Sequence, residues 1–166
     1  MATRAIDRAS AKRRPPGDGT RILLVNKDPR DLSYYQALLQ RAGCRVQASL
    51  SFVEGAQRVE REPYDLIFLD QGNSGFEGRN VLAKALEIDP ELRVLVLARS
   101  HDESCCLEAM RSGALEYLEG HLSAAEIVAL LETYIPRRPS ASVASRPLAG
   151  GARFDKKYSS SSLSLF

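Results

Sequence analysis

Apolar residues along this chain alternate between short unbroken runs and runs that recur every three or four positions. The unbroken runs predict strands at Arg21–Val25, Cys44–Leu50, Tyr64–Leu69 and Leu92–Ala98, with a short fifth at Glu116–Leu118. Between them the spacing turns helical. Leu32, Tyr35, Leu38 and Leu39 form one stripe that stops at Ala42-Gly43, and Ser51 is placed to cap a helix through Phe52, Ala56 and Val59 that ends before Pro63. Phe76–Ile88 carries Val81, Leu82, Ala85 and Leu86 on one face and closes at Asp89-Pro90. A fourth helix is predicted from Asp102 to Ser112, ended by Gly113. Ser123 caps the last one, whose apolar residues are Ile127, Leu130, Leu131 and Ile135. Strand and helix thus alternate five times with short connections, which predicts an α/β protein built on a five-stranded, doubly wound parallel sheet covered by helices on both faces.

The ends of the chain read differently. Residues 1–19 lack periodicity and contain Pro15-Pro16-Gly17-Asp18-Gly19, so a basic, disordered tail is expected before a domain at 20–135. From Pro136 the composition becomes cationic and Ser-rich, and residues 136–166 are expected to be a second disordered tail. Phe154, Tyr158, Leu163, Leu165 and Phe166 stand out there as anchors by which a short segment docks on a partner. The 166 residues carry a formal charge of +2, but this near balance conceals a partition. The first twenty residues hold five basic side chains against two acidic, and residues 136–166 hold six against one, so the body between them is acidic. Such tails favour solubility, and no specific nucleic-acid role is expected. The chain has neither an eighteen-residue apolar run nor a signal-peptide pattern, so no membrane span and a cytoplasmic location are expected. Cys44, Cys105 and Cys106 lack zinc or redox spacing and read as small apolar residues of a reducing compartment.

The third strand ends on a carboxylate, Asp70, just before the glycine-containing loop Gln71-Gly72-Asn73-Ser74-Gly75-Phe76-Glu77-Gly78. In open α/β sheets ligands gather at the carboxyl ends of the strands, which makes Asp70 the candidate functional residue, although an acid there also suits a plain turn cap. Other chemistries find little support. The segment after the first strand, Asn26-Lys27-Asp28-Pro29, is not a phosphate cradle, so a nucleotide or flavin site is not favoured. The only histidines are His101 and His121, and no catalytic-triad or zinc-set pattern is found.

The order of elements, Asp70, Gly78 closing the loop after it, Gly113-Ala114 before the fifth strand and Tyr117 within it together resemble the receiver domain of bacterial two-component response regulators. The resemblance covers Arg21–Ile135 and implies a flavodoxin-like winding. It also implies a phosphate-accepting aspartate at Asp70 and Mg²⁺ held beside it by two acids ending the first strand. A hydroxyl ending the fourth strand and a Lys-Pro after the fifth complete the family pattern. Here those positions are Asn26-Lys27, Ala98 and Gly120-His121. An amide and an ammonium in place of two carboxylates disfavour Mg²⁺, and a phosphoryl group on Asp70 would lack its hydroxyl and lysine partners. No metal or other cofactor is therefore expected.

The expected function is that of a pseudo-receiver, a non-enzymatic module for protein–protein interaction in bacterial signalling or localisation. The alternative is a phosphorylatable single-domain response regulator that uses Asp70 with Mg²⁺. The pocket is expected to comprise Asn26, Lys27, Asp28, Asp70, Ala98 and Gly120, with Arg99 and His121 as further cations near it. Lys27 is expected to pair with Asp70 in the metal's place, while His121 reads as a surface loop residue. The family's usual contact surface implies that protein partners or a second copy meet the fourth helix, fifth strand and fifth helix. That face would include Cys105, Tyr117, Ala124 and Tyr134, with Leu107 and Met110 at a spacing that equally suits the core. The 31 residues after Ile135 are too few and too polar for a helix-turn-helix, so direct control of transcription is not expected.

Overall fold

A computed structural model of the chain describes residues 19–135. The two tails, and with them Phe154, Tyr158, Leu163, Leu165 and Phe166, lie outside the described residues. Five strands, β1 (Arg21–Val25), β2 (Arg45–Ser49), β3 (Leu66–Asp70), β4 (Arg93–Ala98) and β5 (Glu116–Glu119), alternate with five helices. These are α1 (Pro29–Arg41), α2 (Phe52–Arg61), α3 (Arg79–Ile88), α4 (Glu103–Arg111) and α5 (Ala124–Tyr134). All strand pairs are parallel, in the order β2-β1-β3-β4-β5. This is the doubly wound arrangement expected from the alternation of patterns, with the flavodoxin-like winding that the resemblance implied.

The central strands are apolar at successive positions because both sides of the sheet are covered. Ile22, Leu24, Leu66, Phe68, Leu95 and Leu97 face α1 and α5, meeting Tyr35, Leu39, Ile127 and Leu131. Their alternates Leu23, Val25, Ile67, Leu69, Val94 and Val96 face α2, α3 and α4, meeting Val59, Val81, Leu82, Ala85, Cys105 and Ala109. Phe68 is 1 % exposed, and burying such a ring contributes roughly 1.5–3 kcal/mol over leaving it in water.

Local chemistry starts the helices where the sequence predicts. The Ser51 side chain accepts from the Glu54 N–H, and Ser123 and Glu126 form a reciprocal capping box. Helix α3 starts at Arg79, three residues later than its apolar period suggests. Phe76 still faces the core at 1 % exposure, but it does so from the loop. Gly78 occupies the α3 N-cap because a Cβ there would lie 2.7 Å from the Asp70 carbonyl oxygen.

Strand order reverses between β1 and β3, since the chain winds from β1 to β2 on one side and continues from β3 on the other. Val25 is in register with Leu69, and Asp70 with Leu97. The residues that end β1, β3 and β4 therefore rise together at one edge, at the crevice where this class of fold places its chemistry.

Candidate functional site

Asp70 sits half-buried at the end of β3, with its Oδ2 accepting the Lys27 backbone N–H at 3.1 Å. Burial pushes its carboxyl above the usual range, while backbone amides of Lys27 and Gly72 and the charge of Arg99 act in the opposite sense. It is thus a carboxylate held by main-chain donors in a partly dry crevice.

The expected Lys27–Asp70 ion pair is replaced by another. Lys27 turns its backbone, not its ammonium, toward Asp70, and its Nζ lies 2.7 Å from Glu77 Oε1 across the loop. Glu77 Oε2 also accepts the N–H groups of Asn73 and Ser74, each at 2.7 Å. The Lys27 ammonium and these two amides hold the Glu77 carboxyl down to about 2. The physical reason is desolvation: Lys27 is 46 % exposed and Glu77 23 %, so this pair forms near water. An ammonium drawn down to Asp70 would have to shed its hydration.

Arg99, which follows β4, is the cation that reaches the crevice. Its Nη2 bonds Asp28 and lies 2.9 Å from Asp31 Oδ2. Asp28 also caps α1 by accepting the Arg30 N–H at 2.8 Å. His121 Nε2 stands 3.6 Å from Asp31 Oδ1, and its ring packs on Tyr34 with centroids 4.3 Å apart. His121 is therefore part of the wall of the site rather than a bystander. Tyr34 donates to the Leu122 carbonyl at 2.9 Å and Tyr35 accepts the Leu122 N–H at 3.0 Å, so α1 holds the β5–α5 loop against the pocket. Gly120 opens that loop at φ 80°, a backbone that favours glycine, with open space where a side chain would project.

Asn26, Asp70, Ala98, Arg99, Gly120 and His121 contribute to one cavity of about 380 Å³, also bounded by Arg30, Asp31, Tyr35 and Leu97. Lys27 and Asp28 line an adjoining hollow that shares Asp70 and Arg99. The other five residues expected at the pocket thus lie around Asp70. The donor set does not suit Mg²⁺, which asks for carboxylates and water in octahedral geometry. Asn26 Oδ1 is taken by the Asp28 N–H at 2.9 Å, the Lys27 side chain offers no acceptor, and Asp28 and Asp31 are paired with Arg99.

A second polar thread runs from the loop to α4. Gln71 is 8 % exposed, and its Oε1 accepts the Tyr117 hydroxyl proton. The same hydroxyl oxygen accepts the N–H of Asp102, whose side chain caps α4 at Cys105 N. His101, edge-on to the Tyr117 ring, lies 2.6 Å from Glu119. Sequence reasoning placed Tyr117 without its partner Gln71.

The expected contact face needs one correction. Cys105 is 4 % exposed and points into the core, because it lies one turn from Ala109 on the inward stripe of α4. Leu107 and Met110, whose spacing equally suited the core, face outward at 46 % and 43 %. Ala124 is exposed, while Tyr117 and Tyr134 are half-buried, with the Tyr134 hydroxyl donating to Glu116.

Glu77 and the Asp28–Arg99–Asp31 bridge were missed as working parts. A signal existed for the latter: Asp28 and Asp31 are three apart at a helix start, which sets both on one side of the first turn.

The fold, the aspartate at the carboxyl edge of β3 and the loop that Gly78 closes define a receiver-type module. The family model for the response regulator receiver domain matches residues 22–132, and the chain belongs to that family. Among relatives, the transcriptional regulatory protein ZraR of Escherichia coli K12 is 28 % identical over 115 residues, covering 69 % of this chain and 26 % of that protein. The alginate biosynthesis transcriptional regulatory protein AlgB of Pseudomonas aeruginosa is 30 % identical over 98 residues, 59 % of this chain and 22 % of that one. The chain spans about a quarter of the length of the curated relatives it matches. A CheY-like receiver domain from Methanospirillum hungatei superposes with a TM-score of 0.65 at 21 % identity, covering 70 % of this chain and 93 % of that one. The receiver domain of the sensor histidine kinase PA1611 of Pseudomonas aeruginosa, solved with a magnesium ion in its active-site cleft, gives 0.62 at 22 %, covering 70 % and 98 %. These two likenesses concern the fold. Among the described residues no helix is long and apolar enough to cross a membrane.

Proposed function

We propose that this receiver domain is a pseudo-receiver: a protein-binding module of bacterial signalling, working in the cytoplasm without Mg²⁺ and without phosphoryl transfer. The observation that carries the reading is the cation set around Asp70. Arg99 bridges Asp28 and Asp31, and Lys27 stands beside the acid with its ammonium bonded to Glu77. A phosphoryl group arriving at Asp70 would meet a donor set unsuited to a divalent cation, no hydroxyl from Ala98 and no ammonium from Gly120, and those partners supply most of the stabilisation such chemistry requires.

The face made by α4, β5 and α5 is the proposed contact surface for a protein partner or a second copy. Tyr117, Ala124 and Tyr134 lie on it, and Leu107 and Met110 add exposed apolar area. In this reading Gln71 holds Tyr117 in place without a phosphoryl signal, so the face is presented constitutively.

The alternative, a phosphorylatable regulator, is favoured by one feature: Asp70 itself, with its Oδ2 bonded to the Lys27 amide. Intact-mass measurement after incubating the full chain with a small-molecule phosphodonor and Mg²⁺ separates the two. No gain of a phosphoryl group is expected. A gain that requires Mg²⁺ and disappears in Asp70→Asn would establish the alternative instead.

A further inference from the structure

We propose that the cavity at the carboxyl edge is a binding site for a small carboxylate carried on an apolar body, held without a covalent bond and without a metal. This deepens the reading above and rests on it, because a working phosphoryl site would claim the same space.

The proposal stands on unused hydrogen-bonding capacity. Asn26 is 3 % exposed, and its Oδ1 accepts the Asp28 N–H, a contact only the oxygen end of the amide can make. That orientation leaves the Nδ2 donors, among the described residues, with no hydrogen bond. Tyr35 is 3 % exposed, and its hydroxyl oxygen accepts the Leu122 N–H, while its own proton likewise makes none. Both residues line the same cavity. Two buried donors without protein acceptors, both aimed at one cavity, are uncommon in a native interior.

Most side-chain acceptors of the cavity are, by contrast, engaged. Asp31 Oδ2 is bonded to Arg99 and Oδ1 faces His121, and Asp70 Oδ2 accepts the Lys27 backbone amide. The remaining capacity is again for donation. Arg30 is 90 % exposed, with only a loose 3.8 Å approach to Asp28, and Arg99 spends Nη2 alone on its ion pairs. An excess of spare donors over spare acceptors selects a ligand that brings acceptors. Two Arg against two Asp leave the lining formally neutral, so a single negative charge is tolerated where a multiply charged anion is disfavoured beside Asp31 and Asp70.

The walls set the rest of the ligand. Tyr35, Leu97 and Ala98 present apolar surface, the His121 ring stands 5.5 Å from that of Tyr35, and the volume of about 380 Å³ lies within the range of small-molecule sites. Ala98 and Gly120 create that room by being small. An aromatic or branched carboxylate fits this combination; free phosphate has no body to place against the wall.

The test is a titration of the ¹⁵N-labelled full chain with benzoate, acetate and orthophosphate, followed through backbone amides and the Asn26 side-chain NH₂ pair. Benzoate at millimolar concentration is expected to give saturable shifts at Asn26, Arg99 and His121. Acetate should bind roughly tenfold more weakly for want of a ring, and orthophosphate no better than acetate. Asn26→Leu should weaken benzoate roughly tenfold or more by deleting the donors, and Ala98→Val should do the same by filling space. The second variant leaves every polar group in place, which keeps the test decisive if the first fails to fold. Absence of saturable benzoate shifts, equal affinity in a folded variant, or saturable binding of orthophosphate alone would overturn the proposal. A chain that takes neither benzoate nor a phosphoryl group refutes this inference alone, whereas phosphorylation of Asp70 refutes the reading beneath it.

Discussion

The interior of the sheet and its carboxyl edge are built from neighbouring residues of the same strands, yet they follow different rules. Inside, Leu23, Val25, Ile67 and Leu69 on one side and Leu24, Phe68 and Leu95 on the other are all closed off from water by helices. At the ends of the same strands, Asn26, Asp70 and Ala98 surround an open cavity in which charge is balanced by Arg99 and the Asn26 Nδ2 is left without a hydrogen bond among the described residues. The comparison teaches that fold and chemistry reside in separable residue sets. The winding needs apolar volume at strand positions, and any residue that tolerates half-burial can end a strand. Chemistry at the edge could therefore change without disturbing the fold.

The largest expected effect lies inside. Phe68→Ala should lower stability by about 3–5 kcal/mol in urea unfolding, a large share of the stability of an ordinary domain. A loss near zero would mean that the two regions are not distinct.

An intermediate effect is expected where the edge communicates with α4. Gln71→Leu deprives the half-buried Tyr117 hydroxyl of its side-chain acceptor, leaving it the Asp102 carbonyl at 3.4 Å, and Tyr117→Phe deprives Gln71 of its donor; each should cost about 1–2 kcal/mol. The double variant should lose less than the sum, since both remove one bond. Strict additivity in thermal or urea melts would show that the thread is not a unit.

Smaller still is the acid dependence assigned to Glu77. Its carboxyl falls from 4.5 to about 2 on folding, so its contribution is complete above pH 4.5 and is lost as the pH drops from there toward 2. Stability curves of the native chain and of Glu77→Gln should converge across that window. The gap should shrink in high salt, because the Lys27–Glu77 pair is partly exposed. Curves that remain parallel down to pH 2 would remove Glu77 from this role.

The smallest effect concerns the residue of greatest functional interest. Burial penalises the Asp70 carboxylate, and an asparagine oxygen can accept the same Lys27 amide. Asp70→Asn should then leave stability unchanged or raise it by up to about 1 kcal/mol at neutral pH. A clear loss would show that Asp70 is a structural acid, and the edge would prove less separable from the interior than it looks.

Much was legible from the chain alone. Periods of two kinds, with Ser51 and Ser123 at helix starts and Gly113 before the fifth strand, determined the order of elements and hence a doubly wound parallel sheet, because these are local signals set by backbone geometry. The same order delivered Asn26, Asp70, Ala98 and Gly120 to one edge. What the tertiary structure decided was the choice of partners. Lys27 could have bonded Asp70 or Glu77, and hydration at the rim settled it for Glu77. Cys105 and Met110 lie on one short helix, and the rotation of α4 against the sheet sends the first inward and the second outward. Arg99 bridges two acids about seventy residues away in sequence, and the Asn26 Nδ2 is left without a hydrogen bond among the described residues because the amide oxygen turns to Asp28. Such outcomes depend on the reach and orientation of side chains from separate elements, and on how much water each position keeps. Neither quantity is encoded in the spacing of residues along the chain.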